Sequence, residues 1–153
     1  MEYQAQVDVV VFGPARDRIG LLRAIANSYG LDVGDEGGLV RFAGEVTTVE
    51  GLFDVLKRLG DVDFEITTTT ALERRRLVFA WGIGAGSASV DTFGNVVLTD
   101  VQVKSLLRKS NMNLIEFERA LREATLAPWE DVFERARLGQ LSDANQGKKT
   151  NVA

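Results

Sequence analysis

Val7, Val9 and Val11 alternate with Asp8 and Val10 and run into Phe12-Gly13, a β-branched stretch that predicts a buried strand. Pro14 closes it. Asp17 is placed to cap a helix that sets Leu21, Leu22, Ile25 and Tyr29 on one face, with Gly30 as its stop. A short strand over 31–33 leads to Asp35-Glu36-Gly37-Gly38, whose paired glycines predict a hairpin turn, and 39–46 is the returning strand. Thr47-Thr48-Val49-Glu50 has the spacing of a capping box, opening a helix with Leu52, Val55, Leu56 and Leu59 inward and ending at Gly60. Val62, Phe64 and Ile66 then alternate with Asp63 and Glu65 as a half-buried strand. The order β-α-β-β-α-β is that of a ferredoxin-like unit, with both helices on one sheet face.

The remainder is built differently. Residues 77–81 form a strand pattern, 82–87 a glycine-rich loop, and Val90 and 95–98 flank a hairpin turn at Phe93-Gly94. Thr99 caps a helix through Lys109, and Asn113-Leu114-Ile115-Glu116 opens another that contains Phe117 and Leu121. Pro128 suits the first position of a last short helix holding Trp129, Val132 and Phe133. From Gly139 onward the composition is that of a disordered tail. The expected class is therefore α+β: a ferredoxin-like βαββαβ unit over 1–70, a hairpin and helical extension over 71–138 packed on it, and a tail over 139–153. Both sides of the first strand are largely apolar, so the face opposite the two helices needs a cover. The C-terminal segment with Phe117, Leu121, Trp129 and Phe133 is the favoured cover, ahead of a second copy of the chain or a foreign protein.

Composition narrows the chemistry. The 153 residues include no cysteine and no histidine, which removes thiolate nucleophiles, the usual general base and the commonest metal ligands. No serine has a histidine to activate it, and no Gly-x-Ser-x-Gly elbow is present. No cofactor, metal or catalytic residue is expected, and the chain is read as a non-enzyme. The net charge of −4 is opposite to that of a nucleic-acid binder, and no apolar run is long enough to cross a bilayer. Neither nucleic acid nor membrane is an expected partner, and without a basic leader the chain is read as cytoplasmic. The charge is uneven: residues 1–70 carry −6 and residues 71–153 carry +2.

Three motifs invite chemistry. Gly82-x-Gly84-x-Gly86 follows a strand, but a phosphate loop needs a helix directly after it, and Ser87–Asp91 reads as strand or turn. A turning linker is the better account. Arg74-Arg75-Arg76, placed between two strands, suits a carboxylate, a phosphate or an acidic partner surface, with a solvated loop as the bland alternative. Asp35-Glu36 and Glu130-Asp131 are adjacent pairs whose side chains diverge, so neither is a ready bidentate site. Trp81 and Trp129 are each read as core.

Two resemblances follow from particular stretches. The segment Asp17-Arg18-Ile19-Gly20-Leu21-Leu22-Arg23-Ala24-Ile25-Ala26 resembles the passage from first strand to first helix in ACT-type regulatory domains, with Ile19 where that family usually has proline. ACT domains bind amino acids between paired subunits, so this resemblance implies Gly13, Arg16, Asp17 and Gly20 as ligand positions. Gly94-Asn95-Val96-Val97-Leu98 and Trp129-Glu130-Asp131-Val132-Phe133-Glu134-Arg135-Ala136-Arg137 are similar to motifs of a family of short actinobacterial proteins of unassigned function. Members of that family usually carry histidines that this chain lacks, which makes it a divergent relative of a kind that a phage could carry.

The expected function is a non-enzymatic binding or regulatory protein that contacts another protein, with a homodimer as one form. Its rim is expected at Arg74, Arg75, Arg76, Glu130, Glu134 and Arg137. The alternative is an ACT-like sensor of a small metabolite such as an amino acid.

Overall fold

The computed structural model describes the backbone of residues 4–13, 16–36 and 39–150 and the side chains of residues 4–13, 18–34 and 39–138. Eleven elements follow one another: β1 (Ala5–Phe12), α1 (Arg16–Ser28), β2 (Asp32–Glu36), β3 (Leu39–Val46), α2 (Val49–Arg58), β4 (Asp63–Thr69), β5 (Arg74–Ala80), β6 (Gly84–Ser89), α3 (Asp100–Lys109), α4 (Leu114–Ala124) and α5 (Ala127–Thr150). The strands make one antiparallel sheet in the order β2-β3-β1-β4-β5-β6. The class is α+β. The first two β-α-β units interleave, so β1 lies between β3 and β4.

The period-2 pattern of β1 sends alternate side chains to two separate cores. Val7, Val9 and Val11 join Leu22, Ile25 and Ala26 of α1, Leu52 and Leu56 of α2, and Phe42, Phe64 and Ile66 of the neighbouring strands. Val10 and Phe12 face the other way and join Val78, Ala80, Ala88, Leu126, Trp129 and Phe133. Helix α5 lies across β1 and β5 on this second face, while Phe117 and Leu121 of α4 are only half-buried.

Local signals account for most boundaries. Gly30 (φ +70°) ends α1, with Leu31 N–H donating to the Ala26 carbonyl at 2.9 Å and Gly30 N–H to that of Asn27 at 3.1 Å, a Schellman closure. The β2–β3 register closes on Glu36 and Leu39, leaving only Gly37 and Gly38 between the strands. Thr99 caps α3 in a full capping box with Gln102, and the Asn113 side chain accepts from the Ile115 and Glu116 amides at the start of α4. The hairpin after β6 reduces to one bridge, Val90 with Val96, over a turn in which Asp91 Oδ1 accepts from the amides of Phe93 and Asn95.

Several expectations need correction. The cap of α2 is Thr48, one residue later than read, and its side chain makes no capping bond, so there is no capping box. Helix α1 starts at Arg16, which puts Asp17 inside its first turn. Arg74–Arg76 begin strand β5 instead of forming a loop, and Gly84–Ser87 belong to strand β6. Both segments lack apolar alternation; pairing with a neighbour supplies the extended backbone that their composition does not favour. Trp81 is 74% exposed and is not core, because the backbone turns away from the sheet there. Helix α5 is long, and its backbone stays helical to Thr150 across the stretch read as a tail. Side chains beyond Leu138 lie outside the described residues.

Candidate functional site

Arg74, Arg75 and Arg76 do not form one patch. Alternation along β5 divides them between the faces of the sheet. Arg75 lies on the α1/α2 face, where its Nη2 donates to Ser87 Oγ at 3.1 Å. Arg74 lies on the other face and donates from Nη1 to the Thr92 carbonyl at 3.0 Å; its Nε is buried without a partner.

Arg76, also on that second face, is the most constrained of the three. Its side chain is 13% exposed, and its Nε donates to Glu65 Oε2 at 2.7 Å. Glu65, on β4, is 14% exposed, and Glu130, on α5, closes the cluster as a second ion-pair partner of the same guanidinium. Burial works to lower the Arg76 pKa. The charge of Glu65, with the hydrogen bond and charge of Glu130, outweighs that and holds it above the ordinary arginine value. Arg76 is thus a fixed cation joining β4, β5 and α5, occupied internally instead of standing on a free rim.

Aromatic rings continue the cluster. Phe133 and Phe12 stack at 4.2 Å with 10° between planes; the Arg76 guanidinium lies 6.0 Å from the Phe133 ring and that of Arg137 lies 4.9 Å from the Phe12 ring. Two guanidiniums therefore bracket two rings, the geometry in which cation–π attraction adds to stacking. Of the six rim residues, the structure brings Arg76, Glu130 and Arg137 into this assembly, with Arg76 largely buried, Glu130 half-exposed and Arg137 exposed. It separates Arg75 on the opposite face, and Glu134 stays exposed on α5.

The ligand positions implied by the ACT resemblance fare differently. Gly13 (φ +58°) follows β1, and Gly20 is exposed on α1 with open space where a Cβ would stand. The side chains of Arg16 and Asp17 lie outside the described residues. At the same end of the sheet, Arg18, Leu59, Gly60, Asp61, Asp63 and Trp81 line a cleft of about 450 Å3. Arg18 Nε is held by Asp61 Oδ2 at 3.1 Å, and Asp63 Oδ1 accepts the Trp81 amide at 2.9 Å.

Sequence reasoning missed a second cleft, of about 310 Å3, between α2 and the outer strands on the α1/α2 face. Phe53 and Leu77 supply apolar surface, Ala85, Gly86 and Ser87 of β6 one wall, and Glu50 and Asp54 the other. Gly86 has a structural reason: a Cβ there would lie 2.8 Å from the Trp129 ring, whose Nε1 donates to the Gly84 carbonyl at 3.0 Å. A signal for this was available, because glycines two apart on a strand clear one face for a bulky neighbour.

A family described as Protein of unknown function (DUF3145) matches residues 34–146. The chain belongs to this family. No curated protein and no solved structure matches it. The DUF3145 match runs from within β2 into α5, so it contains the Arg76 cluster, β6 and the α2 cleft, whereas Gly13, Arg16, Asp17 and Gly20 precede it.

No helix among the described residues is long and apolar enough to cross a membrane, and no group of three or more Asp or Glu among them is placed to hold a metal.

Proposed function

We propose that this DUF3145 protein is a non-enzymatic, cytoplasmic binding protein that acts by contacting another protein through the surface of its second half. On this reading β1 to β4 with α1 and α2 are a ferredoxin-like carrier for that surface. One observation carries it. Among the described residues, ten of the eleven exposed large apolar side chains come after residue 70, Leu21 being the exception. Scattered exposed apolar residues are normal, but Met112, Leu114 and Ile115 stand together at the α3–α4 turn, each more than two-thirds exposed. The turn is held in shape by left-handed backbone at Asn111 and Met112 and by the Asn113 cap, so these side chains sit on a defined support.

The test is capture of a stoichiometric partner by the tagged chain in its native host, compared with a Leu114→Glu, Ile115→Glu double variant. Loss of the partner with unchanged thermal unfolding supports the reading; equal capture by both overturns the placement.

A second reading, a sensor of a small metabolite such as an amino acid, has one observation in its favour: the cleft beside Trp81 offers a guanidinium and two carboxylates at the end of the sheet where the ACT resemblance puts its ligand. Calorimetric titration with amino acids decides it, and no heat from any of them removes it.

A further inference from the structure

Strand β6 ends the sheet, and its outer edge carries unpaired backbone. The phase of the ladder follows from one bond. Val90 N–H donates to the Arg74 carbonyl at 2.9 Å, and the β5–β6 register places Ser89 opposite Arg75 and Ser87 opposite Leu77. In an antiparallel pair hydrogen-bonded positions alternate, so Ala88 and Gly86 bond to β5 while Ala85, Ser87 and Ser89 turn their amides and carbonyls outward. The Ser89 carbonyl is taken by the Val97 amide at 2.9 Å. Ala85 and Ser87 are exposed, and their outward groups have no partner among the described residues.

The two edges of the sheet are treated differently by the sequence. The edge strand β2 contains Asp32, Asp35 and Glu36, the charges that deter strand addition, whereas β6, Gly-Ala-Gly-Ser-Ala-Ser, has no charge, no proline and no bulge. A cavity flanks the β6 edge on each side. Toward α2 is the 310 Å3 cleft, with Phe53 and Leu77 inside it and Glu50 and Asp54 on its wall, and with the Arg75 guanidinium beside it, tied to Ser87 Oγ. Toward α3 is a hollow of about 380 Å3 lined by Ser87, Val97, Val101, Leu106 and Lys109 among others. A strand laid on β6 would send alternate side chains into these two spaces.

We propose that the β6 edge accepts an extended peptide of a partner protein as a seventh strand, with basic residues toward Glu50 and Asp54 alternating with small apolar residues toward Val97 and Val101. The aliphatic stem of a lysine lies along Phe53 and Leu77 while its ammonium meets the two carboxylates; Lys109 disfavours a second basic side chain on the α3 side. This rests on the reading that the chain works by protein contact, and it adds the chemistry of the partner.

The probe is the blocked peptide Thr-Lys-Val-Lys-Val-Lys-Thr, with controls in which glutamate replaces lysine or the same residues are ordered without alternation. Amide shifts and hydrogen exchange are followed on the full chain. The expected result is binding of the first peptide only, with the Ala85 and Ser87 amides protected. Glu50→Lys with Asp54→Lys, both at exposed positions, weakens binding at least about tenfold. Ser87→Pro removes an outward N–H and the Oγ to which Arg75 donates, leaves the backbone bonds of Gly86 and Ala88 to β5 in place, and abolishes binding. Should Ser87→Pro unfold, the charge variant and the exchange map still decide.

Equal binding of the glutamate peptide, shifts mapping elsewhere, or no effect of the charge variant overturns the proposal. So does a dimer in sedimentation that Ser87→Pro dissolves, because a second copy then owns the edge. If the peptide fails while partner capture by the Leu114–Ile115 surface persists, strand addition alone is wrong; if both fail, the protein-contact reading falls with it.

Discussion

The two faces of the sheet are held by different physics. On the α1/α2 face sixteen buried apolar residues pack together, with Thr68 a buried polar residue at their margin, and Phe64 sits in ring contact with Phe53 and Phe79 at 5.2 and 5.6 Å. Burial there is non-directional: any well-shaped apolar packing would do. On the α5 face the apolar cluster is about half as numerous, and directed contacts supplement it: Trp129 bonds to the Gly84 carbonyl, Arg76 joins Glu65 and Glu130, and two guanidiniums bracket two rings. One face supplies most of the apolar burial; the other fixes where a helix sits.

That contrast can be broken at several points. Phe64→Ala removes a fully buried ring from the larger core and is expected to lower stability by about 3–5 kcal/mol in denaturant unfolding. Both faces should unfold in one transition, since β1 belongs to both, and two separated transitions would show that the cores are independent. Gly86→Ala strikes the smaller core, where the new methyl meets the Trp129 ring; about 1–3 kcal/mol is expected, with a red-shifted indole emission. Arg76→Met tests the directed contacts. It leaves Glu65 poorly solvated and without its cation, and should cost about 1–2 kcal/mol, less when combined with Glu65→Gln. A penalty that does not shrink in the double variant would assign the role of Arg76 to packing alone. At the small end, Trp81→Ala, at a 74% exposed position, should change stability by no more than about 0.5 kcal/mol in calorimetric unfolding.

The larger core was legible in the sequence and the smaller site was not. Alternation in β1 and β4, helical spacing in α2 and the Gly30 and Gly60 stops are local signals, and α1, α2 and β3 stand within a residue or two of their expected places, whereas β2 runs three residues past its expected end, to Glu36. The apolar second side of β1 also announced that a cover was needed, and Trp129 and Phe133 lie there. What escaped depends on partners distant in the chain. Gly84–Ser89 extends because it pairs with β5 and because Trp129 lies over Gly86, neither of which leaves a mark on hydrophobic periodicity. Arg74-Arg75-Arg76 reads as a charge run until strand pairing sets its side chains alternately on two faces; only then does Arg76 find Glu65, eleven positions back on β4, and Glu130 on α5. The α2 cleft escaped for the same reason, since Phe53 and Ser87 meet only through the sheet.

The stack of Phe133 on Phe12 joins the first strand to the last helix. At about 5–20 residues per second, a ribosome delivers Phe133 on the order of ten seconds after Phe12. For that interval β1 can assemble with α1, α2, β3 and β4, but Val10 and Phe12 have no docked helix to cover them. The nascent chain therefore passes through a stage with one finished face and one greasy face, the period in which a chaperone or a neighbouring nascent chain has its best opportunity to bind. Docking of α5 ends that period, and the Arg76 cluster sets the register in which it ends.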